Sequence, residues 1–387
     1  MDSQNTNEKK WIIGAVIVVA VVVIGYIFFG IPDVTILTKS TIIDKKETIG
    51  KSNILTVGAI LPMTGPTAQF GEIFKTGLDA GLAGNSQIKV IYEDSKSDAV
   101  GAVAAFQKLV NIDKVDVIVS ILSKTSVPLV PIAKENKIPL IISLVAATNT
   151  TSPDNDYVYR LFWGASKTAN LFVDRIADQK ITRVALLQGK NEAAQSNADI
   201  IIPQLEIAGI KVAYQTFQDS DTDFRTQLAK AKQAQPEVVA ILSVPASQWK
   251  NIITQVKELG ITVPIYDLFG VFQNPGTPEA LGMLADGVYT IATPFHVGEY
   301  GSEVKAELAK KNIKLNGLTS FGYDTASLIK DFVKNKVMER ESIVQYMKNL
   351  RSFNGISSPY TVDDAHNIEP TIIRAQYING AVVKSEK

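Results

Sequence analysis

The chain has 387 residues, with 39 Lys+Arg against 39 Asp+Glu and a hydrophobic share of 46%, which leaves room for two or three domains with real cores. A formal net charge of +0 gives no basic footprint for nucleic acid. The lack of cysteine excludes disulfides, thiolate zinc, iron–sulfur clusters, a thiol nucleophile and a lipidated cysteine anchor. Two histidines, His296 and His366, leave little for histidine catalysis or a multi-histidine metal site.

The first ten residues are polar, and the run from Trp11 to Ile31 carries no charge. About 20 apolar residues at 1.5 Å each span a hydrocarbon core of roughly 30 Å. Lys9 and Lys10 precede the run and Asp33 is the first charge after it, so the N-terminus is expected in the cytoplasm and the rest outside. A cleaved signal peptide needs a shorter apolar region of about 7–15 residues and a small-x-small site. YIFFGIPD offers no such site, so a retained transmembrane anchor over 11–31 is the preferred reading. Residues 32–53 read as a polar tether.

From Ile54 strands alternate with helices. ILTVGAIL (54–61) reads as a buried strand, followed by a helix over about 67–83, the strand IKVIYE (88–93) and a helix with Asp98 at its N-cap. Next come VDVIVSIL (115–122), a helix to about Asn136, and IPLIIS (138–143). After the polar loop 149–156 the series repeats. It runs through the strand YVYRLFW (157–163), a helix at 166–179, RVALLQ (183–188), a helix at 191–208, KVAYQTF (211–217) and a helix at 222–234. EVVAILS (237–243), a helix at 247–259, VPIYDL (263–268) and GVYTIAT (287–293) complete it. Helices at 301–311, 319–335 and 340–349 follow, and Asn379-Gly380 suits a type I′ hairpin turn. This alternation predicts two α/β lobes with parallel sheets, and a ligand cleft beyond the carboxyl ends of their strands.

Catalytic signatures are missing. There is no P-loop, no G-x-G-x-x-G after the first strand, no H-E-x-x-H, no G-x-S-x-G and no EF-hand loop, so no cofactor and no enzymatic activity are expected. The two histidines have no acidic neighbours at metal-ligand spacing and read as surface or loop residues. Small polar residues do interrupt strand ends. Ser123 follows VDVIVSIL, and Ala146, Ala147 and Thr148 follow IPLIIS. Hydroxyls and main-chain N–H groups there suit a carboxylate; from spacing alone, however, the favoured reading is that Ser123 merely caps a helix beginning near Thr125.

The stretch VGAILPMTGPTAQFGEIFKTGLDAG (57–81) resembles the opening of the leucine/isoleucine/valine-binding-protein-like family, the type I periplasmic solute-binding proteins of ABC importers. YEDSKSDAVGAVAAFQKLV (92–110), residues 115–143, AAT (146–148), YVYR (157–160), DTDFRTQLAKAK (221–232) and FGYDTASL (321–328) continue the resemblance in order. It implies two Rossmann-like lobes joined by three crossover segments near 163, 293 and 370, closing like a hinge on a trapped ligand. Lobe one would be 54–163 plus 294–370, and lobe two 164–293 plus 371–387.

The resemblance also implies roles. Ser123, with Thr125 in the same turn, and Ala146 with Thr148 stand where the family holds a ligand carboxylate. Phe70 stands where an aromatic covers the ligand side chain, or packs its own loop. In lobe two the pattern departs. Ala193 falls near a family tyrosine, Pro245 near a second aromatic, and Phe269 where the family carries the acid that pairs with the ligand ammonium. Asp267, two residues away, is either a replacement acid or a strand or cap residue. A buried ammonium without a carboxylate costs several kcal/mol. The implied ligand is therefore amino-acid-like only if an acid substitutes, and otherwise a small apolar carboxylate. The expected protein is a monomeric, membrane-anchored extracytoplasmic binder that delivers its ligand to ABC permease subunits. The alternative is an extracytoplasmic sensor acting through a membrane partner.

Overall fold

A computed structural model describes residues 54–274 and 276–385. The apolar run at 11–31 and the tether at 32–53 lie outside the described residues; among those that are described, no helix is long and apolar enough to cross a membrane.

The first half of the chain builds an eight-stranded sheet. Its strands from this half are β1 (Leu55–Leu61), β2 (Ile88–Asp94), β3 (Val117–Ile121), β4 (Leu140–Ser143) and β5 (Val158–Leu161), all parallel. Between them run α1 (Ala68–Leu82), α2 (Ala99–Asn111), α3 (Ser123–Ser126) and α4 (Leu129–Glu135). Asp98 caps α2 as expected, accepting from Gly101 N at 2.7 Å. The single helix expected up to Asn136 is two, with Pro128 at the junction, because proline supplies no N–H to continue the ladder. The β5 strand is also shorter than YVYRLFW, since residues 162–164 leave the sheet.

There the chain crosses to a seven-stranded sheet. Its parallel members are β6 (Arg183–Gly189), β7 (Lys211–Phe217), β8 (Val238–Leu242), β9 (Ile265–Asp267) and β10 (Tyr289–Ala292). They alternate with α5 (Ala165–Asp178), α6 (Glu192–Ile207), α7 (Arg225–Gln233), α8 (Ala246–Glu258) and the short α9 (Thr277–Leu281). After β10 the chain returns to the first sheet through α10 (Ser302–Lys310), α11 (Gly317–Lys334) and α12 (Arg340–Asn349). The strands β11 (Ser352–Asn354), β12 (Pro359–Val362) and β13 (Asn367–Pro370) then extend that sheet. A third crossing at 371–372 leads to β14 (Ile373–Ile378) and β15 (Ala381–Lys384) at the edge of the second sheet.

The sheets are therefore mixed, not wholly parallel. β11–β13 pair antiparallel with one another, and β10, β14 and β15 do the same. The β14–β15 turn is the expected Asn379-Gly380, with φ of 51° and 82°. The returning α11 is pressed onto α1 at glycines. A Cβ on Gly77 would lie 2.0 Å from Thr319 O, and one on Gly322 would lie 2.2 Å from Phe74 O. That contact ties the start of the chain to its last third and fixes the floor of the first lobe.

Candidate ligand-binding cleft

In the first lobe β3 and β4 end side by side, and each is followed by a leucine with positive φ: Leu122 at 67° and Leu144 at 56°. Leu122 also has ψ 142°, a region almost reserved for glycine. The residues that follow these turns, Ser123 and Val145, are buried. Ser123 Oγ accepts the N–H of Ala147 at 3.2 Å, so its own proton is free to be donated. The peptide after Ala147 is held from the other side, its carbonyl accepting from Arg160 Nη1 at 3.1 Å. Ala146 and Thr148 flank it, half-buried. Ser123, Ala146 and Thr148 thus share one rim. Thr125 is buried in the same turn, but its hydroxyl is turned back to the carbonyls of Ile121 and Leu122.

Phe70 lies half-buried in the first turn of α1. Its loop is clamped by the acidic turn after β2. Asp94 accepts Met63 N at 2.9 Å, Thr64 N at 3.2 Å and the Thr64 hydroxyl at 2.6 Å, and Ser97 Oγ donates to Thr64 O at 2.7 Å.

The rim of the second lobe is different. Ala193 sits half-buried in the first turn of α6, and exposed Pro245 is the N-cap of α8. Polar side chains at these strand ends are spent on each other. Gln188 receives no ligand-facing role, as it bonds Gln195 at 2.9 Å and also Tyr214; Ser243 donates to Gln248 at 2.6 Å. Asp267 is buried and fully engaged. It accepts Phe269 N at 2.9 Å, Gly270 N at 3.1 Å, Val271 N at 2.7 Å and the Thr290 hydroxyl at 2.7 Å. Burial pushes its carboxyl up to about 6 against those donors. It builds the turn that presents Phe269.

The two lobes meet around Phe269. A hollow of about 20 Å³ is lined by Leu144, Leu318 and Phe321 of the first lobe, Phe269, Gln273 and Asn274 of the second, and Phe162–Trp163 of the first crossing. Phe162 stacks on Trp163 at 4.0 Å, and both rings lie against Phe321. Nearer the opening, α3 comes within 8 Å (Cα–Cα) of α6 across the cleft. Glu192, next to Ala193, is exposed at the start of α6.

Sequence reading assigned no part to Arg160, Lys167 or Glu369, which cluster at the crossings. The available signal was a cation inside the otherwise buried run YVYRLFW. Both histidines lie in loops, His366 buried and His296 half-buried. His366 is buried against Tyr159 with Nδ1 3.1 Å from Asn155 O, and His296 has a buried, unpartnered Nε2. Burial, helped by Lys305, lowers the His296 pKa to about 3. Among the described residues, no group of three metal-ligating side chains comes together.

A family model described as periplasmic binding protein matches residues 54–380. The chain belongs to that family. Leu/Ile/Val-binding protein homolog 3 of Brucella melitensis is 24% identical over 196 residues, 48% of this chain and 53% of its own length. A leucine-, isoleucine-, valine-, threonine- and alanine-binding protein of Pseudomonas aeruginosa is 26% identical over 183 residues, 45% and 49%. The chain thus spans about half the length of the curated relatives it matches. Among solved structures, a leucine-binding protein from Thermotoga maritima superposes with a TM-score of 0.75 at 21% identity, covering 86% of this chain and 98% of that one. A solute-binding protein from Rhodopseudomonas palustris in complex with 3,4-dihydroxybenzoic acid gives 0.73 at 19%, covering 86% and 96%. At these identities the likeness is one of fold.

Proposed function

We propose that this periplasmic binding protein captures a small carboxylate that carries no ammonium group, and hands it to an ABC importer. The observation that carries the reading is the asymmetry of the cleft. The first rim offers the hydroxyl proton of Ser123, suited to an anion. The second rim offers Ala193, Pro245 and Phe269, and its nearest buried acid, Asp267, already takes four hydrogen bonds. An ammonium set down there would be stranded without a counter-charge. The half-buried rings of Phe269 and Phe162 suit an apolar or aromatic body instead. Phe70 covers it from the first loop, and closure of the lobes supplies the binding energy.

The solved relatives cover both chemistries, one in complex with 3,4-dihydroxybenzoic acid and another, from Streptococcus pneumoniae, in complex with isoleucine. An amino-acid ligand is a second reading, favoured by Glu192 at the mouth of the cleft, which would then be the ammonium's partner. The apolar run at 11–31 is assigned to a retained anchor with the binding unit outside the cell, the tether at 32–53 giving reach to a permease. The lobe boundaries are placed at the crossings near 163, 293 and 370. A sensor acting through a membrane partner would use the same cleft.

Calorimetric titration with benzoate, 4-hydroxybenzoate, 3,4-dihydroxybenzoate, leucine, isoleucine and valine tests the ligand class. Binding of a member of the first three with none of the amino acids is the expected result. Micromolar binding of any of the amino acids sinks the ammonium-free reading.

A further inference from the structure

Beneath the Ala147 loop lies a charge cluster that joins the cleft to the hinge. Arg160, in β5, is 6% exposed. Its Nη1 holds Ala147 O, and its Nη2 is 3.9 Å from Glu369 Oε1, long for an ion pair. Its Nε is buried and has no partner. Glu369, in β13 just before the third crossing, is drawn elsewhere. It accepts Gly164 N of the first crossing at 2.7 Å and lies 3.8 Å from Lys167 Nζ. Lys167 belongs to the first turn of α5, on the far side of that crossing, and donates to Pro370 O at 2.7 Å. The space is tight, since a Cβ on Gly164 would lie 2.8 Å from Arg160 Nη2 and 2.9 Å from Glu369 Oε1. Two cations therefore compete for one carboxylate, and the carboxylate is anchored to both crossings.

We propose that Arg160 is a positioning residue whose grip on the Ala147 carbonyl is set by the state of the hinge, through Glu369. With the lobes together, Lys167 and Gly164 hold Glu369 away from Arg160, and the guanidinium keeps the ligand loop in place. Rotation about the first crossing withdraws Lys167. Glu369 then has Arg160 as its remaining cation, the pair shortens, and the Ala147 carbonyl is left to the Thr150 hydroxyl alone, 3.4 Å away. Burial makes this competition strong, since it disfavours both cations while Glu369 supports them. The inference rests on the proposed cleft only in taking the Ala147 loop as the ligand loop.

The test needs no ligand, so it succeeds or fails independently of the ligand class. Amide hydrogen exchange is read at Ala147, whose N–H is bonded to Ser123, with β8 amides as the control for an intact fold. Lys167→Met leaves Glu369 to Arg160 and is expected to speed exchange at Ala147 about tenfold. Glu369→Gln removes the competitor and is expected to leave that exchange unchanged or slower. The double variant is expected to return to within about twofold of the wild type. A cluster that merely stiffened the region would loosen with each substitution. Faster exchange in Glu369→Gln, a double variant no slower than Lys167→Met, or no response to Lys167→Met would each overturn the proposal.

Discussion

The two rims of the cleft are built by the same βα geometry from opposite materials. On the first, strained turns at Leu122 and Leu144 bring a serine hydroxyl against the Ala147 peptide, and a buried arginine holds that peptide's carbonyl. On the second, the corresponding strand ends carry Ala193, Pro245 and Phe269, and the polar side chains nearby are closed on one another. A shared fold therefore says nothing about which half holds the charge of the ligand. In the proposed reading one lobe takes the charge, and the other would serve as an apolar lid.

Substitutions that attack this asymmetry rank by size. Asp267→Ala strands three backbone donors and a threonine hydroxyl, and is expected to cost roughly 3–5 kcal/mol of stability, read by denaturant unfolding. Phe269→Glu restores an acid to the lid. It is expected to weaken binding of a carboxylate ligand by about 100-fold or more in calorimetry, since two like charges would be enclosed together. Ser123→Ala removes the hydroxyl proton of Ser123 and is expected to weaken the same binding roughly 10- to 30-fold.

A pH effect comes next, and it is the same in both lobes. Asp267 has a counterpart in Asp324, buried in α11, which accepts Ile356 N at 2.5 Å, Ser357 N at 3.2 Å and the Tyr360 hydroxyl at 2.7 Å. Burial pushes both carboxyls up to about 6. A folded-state value above the unfolded one means the folded protein binds the proton more tightly. The stability this gives is present below about pH 4 and is lost as pH rises through about 6, on the order of 1–3 kcal/mol per group. The stability gap between wild type and Asp324→Asn should accordingly be wider at pH 4.5 than at pH 7.5 in thermal unfolding. Smallest of all, Glu192→Gln is expected to change affinity less than about twofold, because an exposed carboxylate contributes little. A large loss there would favour the amino-acid reading.

Much of the fold was legible because strong βα alternation leaves few architectures open. Helix limits fell within a residue or two where burial was one-sided, as at α12 and at the start of α2. The short strands β11–β13 were not legible, since three or four residues are too few to show alternation, and they pair only because β5 lies beside them. Pro128 marked a helix break that apolar spacing alone hid. At the site, Ser123 and the Ala146–Thr148 loop could be found from small polar residues at strand ends. The engagement of Asp267 could not, because its partners are backbone groups that only the folded turn brings together. Glu369 and Lys167, about 200 residues apart in the chain, meet only through the crossings.

The central claim is tested most directly with ligand pairs that differ only in the ammonium group. Leucine is compared with 4-methylpentanoate, and valine with 3-methylbutanoate, by calorimetric titration against the same protein. The account predicts that each deaminated acid binds more tightly than its amino acid. Tighter binding of leucine and valine would contradict it, by showing that the second rim does neutralise an ammonium.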